Sequence, residues 1–309
     1  MPAKPWTSDI VVTDELVTHL IETQFGELDI DDIKCIGEGW DNKVFLVNNT
    51  LIFRFPHRKV AAQVIQRENT ILKNIHGYLE LDIPNPICLG SPTAQFPFTF
   101  HGYSMVKGKS ACSESLRHED RVASITPLAT FLKRLHSISE EQANAMGAKP
   151  QLFDRTESLR IIRLLSETVE KINAKGIVVI NKEVFEGEIA AAMRVQLPSN
   201  KVLVHGDLYS RHLMFYAGKL TGVIDWGDTG INSPAVDLAV VFSFYPKSVH
   251  ECFLNIYGHV DDNTWQYARF LGLHSAFMVL IYAYDTGDHK LMFEAKGAID
   301  RINPALIST

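Results

Sequence analysis

Two aspartates, Asp207 and Asp225, stand eighteen positions apart within residues 202–228, VLVHGDLYSRHLMFYAGKLTGVIDWGD. Three short apolar runs frame them: Val202–Val204, Leu213–Tyr216 and residues 220–224, with Ala217, Gly218 and Lys219 supplying turn chemistry before the third. The spacing predicts a strand, a loop carrying Asp207, and a hairpin with Asp225 directly after its last strand. Acids at the mouths of neighbouring strands can converge on one point. Phosphoryl transfer to a hydroxyl calls for such a pair. One carboxylate orients the attacking OH and accepts its proton, and the other holds the Mg²⁺ that neutralises the phosphate oxygens. A surface loop with two unrelated acids would carry the same letters, so the flanking sequence must decide.

In protein kinases the catalytic-loop Asp is followed five residues later by an Asn and, on the next hairpin, by a metal-binding Asp. Here Asp207 fits the first role, Asp225 the third, and His212 stands at the middle position. HGDLYSRHLMF followed by GVIDWGDTGINSPAVDLA resembles the antibiotic-kinase superfamily of aminoglycoside phosphotransferases, with its HGD, its downstream IDW and a further Asp in a turn, here Asp237. The chain is similar in particular to aminoglycoside 2″-phosphotransferases and macrolide phosphotransferases, which also carry His at the position of His212 where most relatives have Asn. The likeness covers most of the chain, and it is specific for the superfamily rather than the substrate. It implies an α+β, bilobal protein-kinase-like fold. Residues 1–107 would form a nucleotide-binding lobe with a five-stranded antiparallel sheet and a helix, and residues 108–309 a larger, mostly helical catalytic and substrate-binding lobe.

Composition is compatible with that size of protein. At 309 residues the chain can bury a large core, and 46% hydrophobic with 21% charged residues is ordinary for a soluble globular protein. A net charge of −6 lends no support to a nucleic-acid partner. Four scattered cysteines (Cys35, Cys88, Cys112, Cys252) without a CxxC pair argue against a disulfide framework or a zinc site and suit a reducing cytoplasm. The N-terminus has no apolar signal core and no run reaches membrane-spanning length. The expectation is a cytoplasmic monomer or small homo-oligomer.

In the first half, the chain from Thr13 reads as a capped amphipathic helix ending near Gly26. Residues 33–40, 43–48 and 51–55 then read as three consecutive strands, with Gly37 and Gly39 in the first turn. Such a glycine pair serves either a plain hairpin turn or a loop whose N–H groups approach phosphates. Arg54 interrupts an apolar strand, placed either on a solvent face or toward a cleft. Glu68 lies in the helical pattern VIQRENTILKNI. The resemblance puts Arg54 at the phosphate-gripping lysine position of kinases and Glu68 at its helix partner. Residues 98–106 read as the last strand of this half. By resemblance the nucleotide base would hydrogen-bond to backbone at 104–106, Ser104 to Val106, with Tyr103 beside it. Related proteins often use GTP, and a bulky Tyr103 would disfavour adenine.

In the second half, residues 127–137 form an amphipathic helix carrying His136, read as structural. Residues 155–195 read as helical with a break near Lys175, and 249–258 and 265–284 as two further helices. His205 braces the loop in the resembled family. Arg211 either neutralises phosphate charge or faces solvent. Asp237 ties the loop to the apolar run after it. Mg²⁺ prefers oxygen whereas imidazole suits softer metals, so His212 either replaces an amide oxygen at the metal or touches phosphate. Acceptor candidates are acids near the C-terminal helices: Asp228, Glu251, Asp285, Asp288 and Glu294, each with solvated surface as its competing reading.

The reading is therefore a kinase moving the γ-phosphate of GTP or ATP to a hydroxyl of an antibiotic, an aminoglycoside first. Asp207 and Arg211 would be catalytic, His212 and Asp225 would hold Mg²⁺ or Mn²⁺, and Gly37, Gly39, Arg54, Glu68, Tyr103, Ser104 and Val106 would hold nucleotide. Asp228, Asp285 and Asp288 would meet the acceptor. The alternatives are a macrolide 2′-phosphotransferase, a housekeeping sugar or amino-alcohol kinase, and a nucleotide-binding pseudoenzyme.

Overall fold

The computed structural model of the chain describes residues 9–38, 42–113, 116–151 and 153–308. They fall into two compact units, Met1–Gly77 with Ile83–Val106, and Tyr78–Asp82 with Lys107–Thr309.

In the first unit, helix α1 (Asp14–Gln24) begins where the Thr13 hydroxyl accepts the Leu16 N–H, with Asp14 and Glu15 in its first turn beside the positive helix end. Strands β1 (Ile33–Glu38), β2 (Asn42–Val47) and β3 (Leu51–Pro56) follow, then α2 (Lys59–Ile75), β4 (Pro86–Gly90) and β5 (Phe100–Ser104). The five strands form one antiparallel sheet in the order β1-β2-β3-β5-β4. Asn48 and Asn49 both take positive φ, the mirror-image turn geometry that a tight hairpin favours, and so join β2 to β3. The core is aromatic: Phe45, Phe53, Phe55, Phe96 and Phe100 are buried together with Val17, Leu20 and Ile21 of α1. Phe55 stacks on Phe100 at 4.5 Å between centroids.

In the second unit, β6 (Lys109–Ser110), α3 (His118–Ala123), α4 (Ile125–Leu135) and α5 (Glu140–Ala145) lead to α6 (Ser158–Lys175), which stops at Gly176 in the left-handed conformation. The segment β7 (Val179–Ile180) and α7 (Lys182–Ala192) precede β8 (Val202–Val204). Next come β9 (Leu213–Tyr216), β10 (Lys219–Val223), β11 (Gly230–Asn232) and α8 (Ala235–Phe244). Helices α9 (His250–Tyr257), α10 (Asp262–Thr286) and α11 (His289–Ile302) and a short β12 (Ile307–Ser308) complete it. Helix α8 is apolar on nearly every face and packs on α10 and α11, as a helix without a polar side must. Among the described residues no helix is long and apolar enough to cross a membrane.

One expectation is corrected. Strand β8, which delivers Asp207, does not neighbour the hairpin that delivers Asp225. It pairs antiparallel with β11, whereas β10 and β9 form a separate three-stranded sheet with β6. After Asp225 the chain turns back and β11 takes the edge of β8, so pairing between the hairpin and β8 is pre-empted.

Candidate active site

The loop after β8 is held from below by two buried side chains. Asp237, in the first turn of α8, is fully buried; its Oδ2 accepts the His205 N–H at 2.7 Å and its Oδ1 accepts the Gly206 N–H at 2.8 Å. His136, at the end of α4, donates from Nε2 to Asp237 at 3.1 Å and meets the Tyr257 hydroxyl through Nδ1. Burial works to raise the Asp237 carboxyl, but the hydrogen bond and charge of His136 outweigh it and hold the group below its ordinary value. His205 donates from Nε2 to the Ile224 carbonyl and accepts the Asp207 N–H at Nδ1, so one ring ties the two acid-bearing segments together. Burial pushes its pKa down. Gly206 has φ 92°, and a Cβ there would sit 2.3 Å from the Asp228 carbonyl oxygen, so glycine is the residue this close approach admits.

His212 lies between the two acids. Its Nδ1 donates to the Asp207 carbonyl at 2.6 Å and stands 3.8 Å from Asp207 Oδ2, while Nε2 is 3.4 Å from Asp225 Oδ2. The Ile224 N–H returns a bond to the His212 carbonyl, and the ring packs edge-on to Tyr209 at 4.4 Å. The structure thus gathers Asp207, His212 and Asp225 through His205, His212 and the Ile224 peptide rather than through adjacent strands. Asp225 takes φ 65°, a left-handed conformation that costs a non-glycine residue about 1–3 kcal/mol and persists where surroundings impose it. The next residue, Trp226, is fully buried with its indole N–H on the Val223 carbonyl.

The donor set, one carboxylate oxygen and one imidazole nitrogen, fits a divalent ion, the ring nitrogen suiting a softer ion such as Mn²⁺ better than Mg²⁺. With the Nδ1 proton directed at a carbonyl, the Nε2 lone pair faces Asp225, and atoms 3.4 Å apart are spaced as adjacent ligands of one ion. Among the described residues no group of three or more His, Cys, Asp or Glu side chains gathers at ligating distance. Such a divalent ion is ordinarily held by one or two carboxylates with substrate phosphates and water completing the shell, and Asp225 supplies one carboxylate here.

Of the acids expected to meet an acceptor, Asp228, Asp285 and Asp288 each carry a cation from the same unit. Asp228 Oδ2 pairs with Arg155 Nη2 at 2.9 Å, Asp285 with Lys175 at 2.9 Å, and Asp288 with Arg211 at 2.6 Å. Asp288 also caps α11, accepting the Leu291 N–H. Glu294 is held by Arg121 and Arg301, and Glu251 is exposed. Arg211, weighed earlier between phosphate and solvent, is therefore engaged with Asp288 and lies over the Tyr282 ring. The Asp228 carboxyl is pushed up first by the protein atoms crowding it and then by the charges of Asp207 and Asp225, against Arg155. Its side chain is 56% exposed, so solvent screens all of these.

Sequence reasoning missed Arg155, which reaches Asp207 as well as Asp228, and the pair Gln151 and Asn232, which hold the segment beneath it. Buried His274 on α10 was also missed; burial and then the Arg155 charge bring its pKa down to about 4. The only local signal was Asp154-Arg155-Thr156, where the Asp154 carboxylate takes the Thr156 N–H and hydroxyl in an Asx turn.

In the first unit, Arg54 and Glu68 meet as expected of a strand–helix pair. Nη1 and Oε1 are 2.7 Å apart, with Arg54 8% and Glu68 1% exposed. Strand β3 is covered on both faces, so Arg54 does not face solvent. His101 stands opposite Arg54 in β5, bonded to Asn69; burial and then the Arg54 charge hold its pKa well below the ordinary value. A buried ion pair contributes little net stability, because desolvation offsets the attraction. Gly37 lies in β1 with open space where a Cβ would be; Gly39 lies outside the described residues. Tyr103 is buried in β5, Ser104 is exposed at its end and Val106 is buried, while the intervening Met105 N–H is taken by the Thr50 carbonyl.

A five-stranded antiparallel sheet followed by a mostly helical unit with this loop is the protein-kinase-like fold. The model of the phosphotransferase enzyme family matches residues 32–271, and the chain belongs to that family. Viomycin phosphotransferase of Streptomyces vinaceus is 28% identical over 113 residues, a match spanning 35% of this chain and 39% of that one. Among solved structures, the GDP complex of aminoglycoside 2′-phosphotransferase-IIIa is similar with a TM-score of 0.70 and 22% identity, covering 94% of this chain and 98% of that chain. A macrolide 2′-phosphotransferase from Brachybacterium faecium is similar with a TM-score of 0.60 and 18% identity, covering 93% and 98%.

Proposed function

We propose that the protein transfers the γ-phosphate of GTP or ATP to a hydroxyl of a small natural product, an antibiotic of the aminoglycoside class first. The observation that carries this reading is the His212 ring between the carboxylates of Asp207 and Asp225. Asp207 orients the acceptor hydroxyl and takes its proton. Asp225 Oδ2 and His212 Nε2 would hold a divalent ion, which supplies charge neutralisation at the phosphate oxygens. Arg54, braced by Glu68, grips phosphate oxygens, Gly37 and Gly39 give backbone access, and Tyr103 to Val106 take the base. Arg211 positions Asp288 and the acceptor side. Catalysis on this reading is positioning and charge stabilisation.

A second acceptor class is favoured by the paired acids. An aminoglycoside is a polycation and must displace Arg155, Lys175 or Arg211 to reach Asp228, Asp285 or Asp288. A macrolide, large, apolar and carrying one amine, asks for no such exchange. The test is nucleotide consumption with GTP and with ATP against panels of aminoglycosides, macrolides, sugars and amino alcohols. Phosphorylated product in an antibiotic panel is expected. Nucleotide binding without transfer to any alcohol would leave a nucleotide-binding pseudoenzyme instead.

Replacing His212 with Asn is expected to leave measurable turnover, with a loss of no more than about 100-fold, and to lower the ratio of Mn²⁺- to Mg²⁺-supported rates. An unchanged ratio would remove His212 from the metal.

A further inference from the structure

Arg155 lies far along the chain from the HGD and IDW segments, yet its guanidinium touches Gly206, Asp207 and Asp228. Nη1 donates to the Gly206 carbonyl at 2.5 Å, both terminal nitrogens approach Asp207 Oδ1 at 3.3–3.4 Å, and Nη2 donates to Asp228 Oδ2 at 2.9 Å. The Arg155 side chain is 22% exposed and its carboxylate partners Asp207 and Asp228 37% and 56%, so the fork is held by geometry more than by charge, which solvent screens. Its backbone is fixed in turn. The Arg155 carbonyl accepts from the Tyr267 hydroxyl on α10, and Asp154 accepts from Thr156 and from Asn232. Gln151 donates to the Asp228 carbonyl and accepts from Asn232. A planar fork anchored at its base and spread over three acceptors is the arrangement that sets a carboxylate's rotation.

We propose that Arg155 is the positioning residue of the phosphoryl transfer. It occupies Oδ1 of Asp207 and ties it to Gly206 and Asp228, leaving Oδ2, the oxygen on the His212 side, to take the acceptor hydroxyl. Without the fork the Asp207 carboxylate rotates freely, and an error of about 1 Å at the reacting oxygen is worth on the order of 100-fold in rate. The proposal rests on Asp207 being the base.

The experiment compares Arg155→Met, which keeps the stem and removes the fork, and Arg155→Lys, which keeps charge without the fork. Arg163→Met, at an exposed site on α6, serves as control. Turnover of GTP is followed with water as acceptor and with the best acceptor of the panels above, and GDP affinity by titration. For Arg155→Met, kcat is expected to fall about 100-fold with GDP affinity and KM for GTP within about twofold of the parent. Arg155→Lys should fall between, and guanidinium added below unfolding concentrations should return part of the lost rate to Arg155→Met. A kcat within twofold of the control overturns the proposal. So does a loss of rate matched by loss of GDP affinity and untouched by guanidinium, which is what a merely structural strap would give. Asp207→Asn measured alongside separates the two levels. If it keeps the parent rate, the base assignment has failed. If it is slow while Arg155→Met is not, only the positioning role has. Combining the two substitutions is expected to add little to Asp207→Asn alone, since both act through one oxygen.

Discussion

Asp207→Asn is expected to lower turnover by about 10²–10⁴-fold with GTP or ATP affinity close to that of the parent. The amide keeps the shape and can still bond to Arg155, so the loop geometry survives. What it loses is the capacity to accept a proton in the transition state, and the loss belongs in kcat rather than in nucleotide binding. The loop is secured mainly by Asp237, His136 and His205, none of which uses the Asp207 side chain, so the melting temperature should hardly move. Steady-state kinetics with nucleotide titration checks this. Parent-like kcat in a folded variant removes Asp207 from the reaction.

Asp237→Ala should produce a large loss of stability in the second unit. The substitution strips the acceptor from the His205 and Gly206 N–H groups and from His136, all inside protein. Removing one member of a buried pair costs about 3–5 kcal/mol, because the partners left behind are neither bonded nor hydrated. Urea unfolding measures it, and a change below about 1 kcal/mol would show that the loop finds other partners. Activity should fall as well, since the Gly206 turn sets where Asp207 points. The same group carries a pH signature. Its folded pKa lies below the unfolded value, so its contribution to stability is fully present above about pH 4 and is lost as pH falls through the folded pKa. Asp237→Asn, uncharged at every pH, should be less stable than the parent near neutrality and should lose less on acidification.

Much of this was legible because it is local. Period-two and period-3.6 patterns located β2, β3, β9, β10, α4 and α10 within a few residues, and strand ends drifted where prolines and turns intervene, as at β5. Arg54 announced itself as a charge in an apolar strand, and the covered faces of β3 exclude the solvent-facing reading. Asp207, His212 and Asp225 were found from type and spacing, within a segment whose residues speak for one another. Arg155 was not legible, because its partners lie 52 and 73 positions away and nothing in DRT reports on them. The candidate acceptor acids Asp228, Asp285 and Asp288 show the same limit: their types were read correctly, but their pairing with Arg155, Lys175 and Arg211 was not.

Sequence alone determined the chemical types, most of the strands and helices, and the pair of acids flanking a histidine, since each depends on near neighbours along the chain, while the kinase-like architecture came from the resemblance of its motifs. Tertiary structure alone decided that β8 seeks β11, that the acids meet through two imidazoles and one peptide, and that a distant arginine occupies one oxygen of Asp207. The reason is physical: hydrogen bonds and ion pairs act over a few ångströms of space, and only the folded chain brings residues dozens of positions apart within that range.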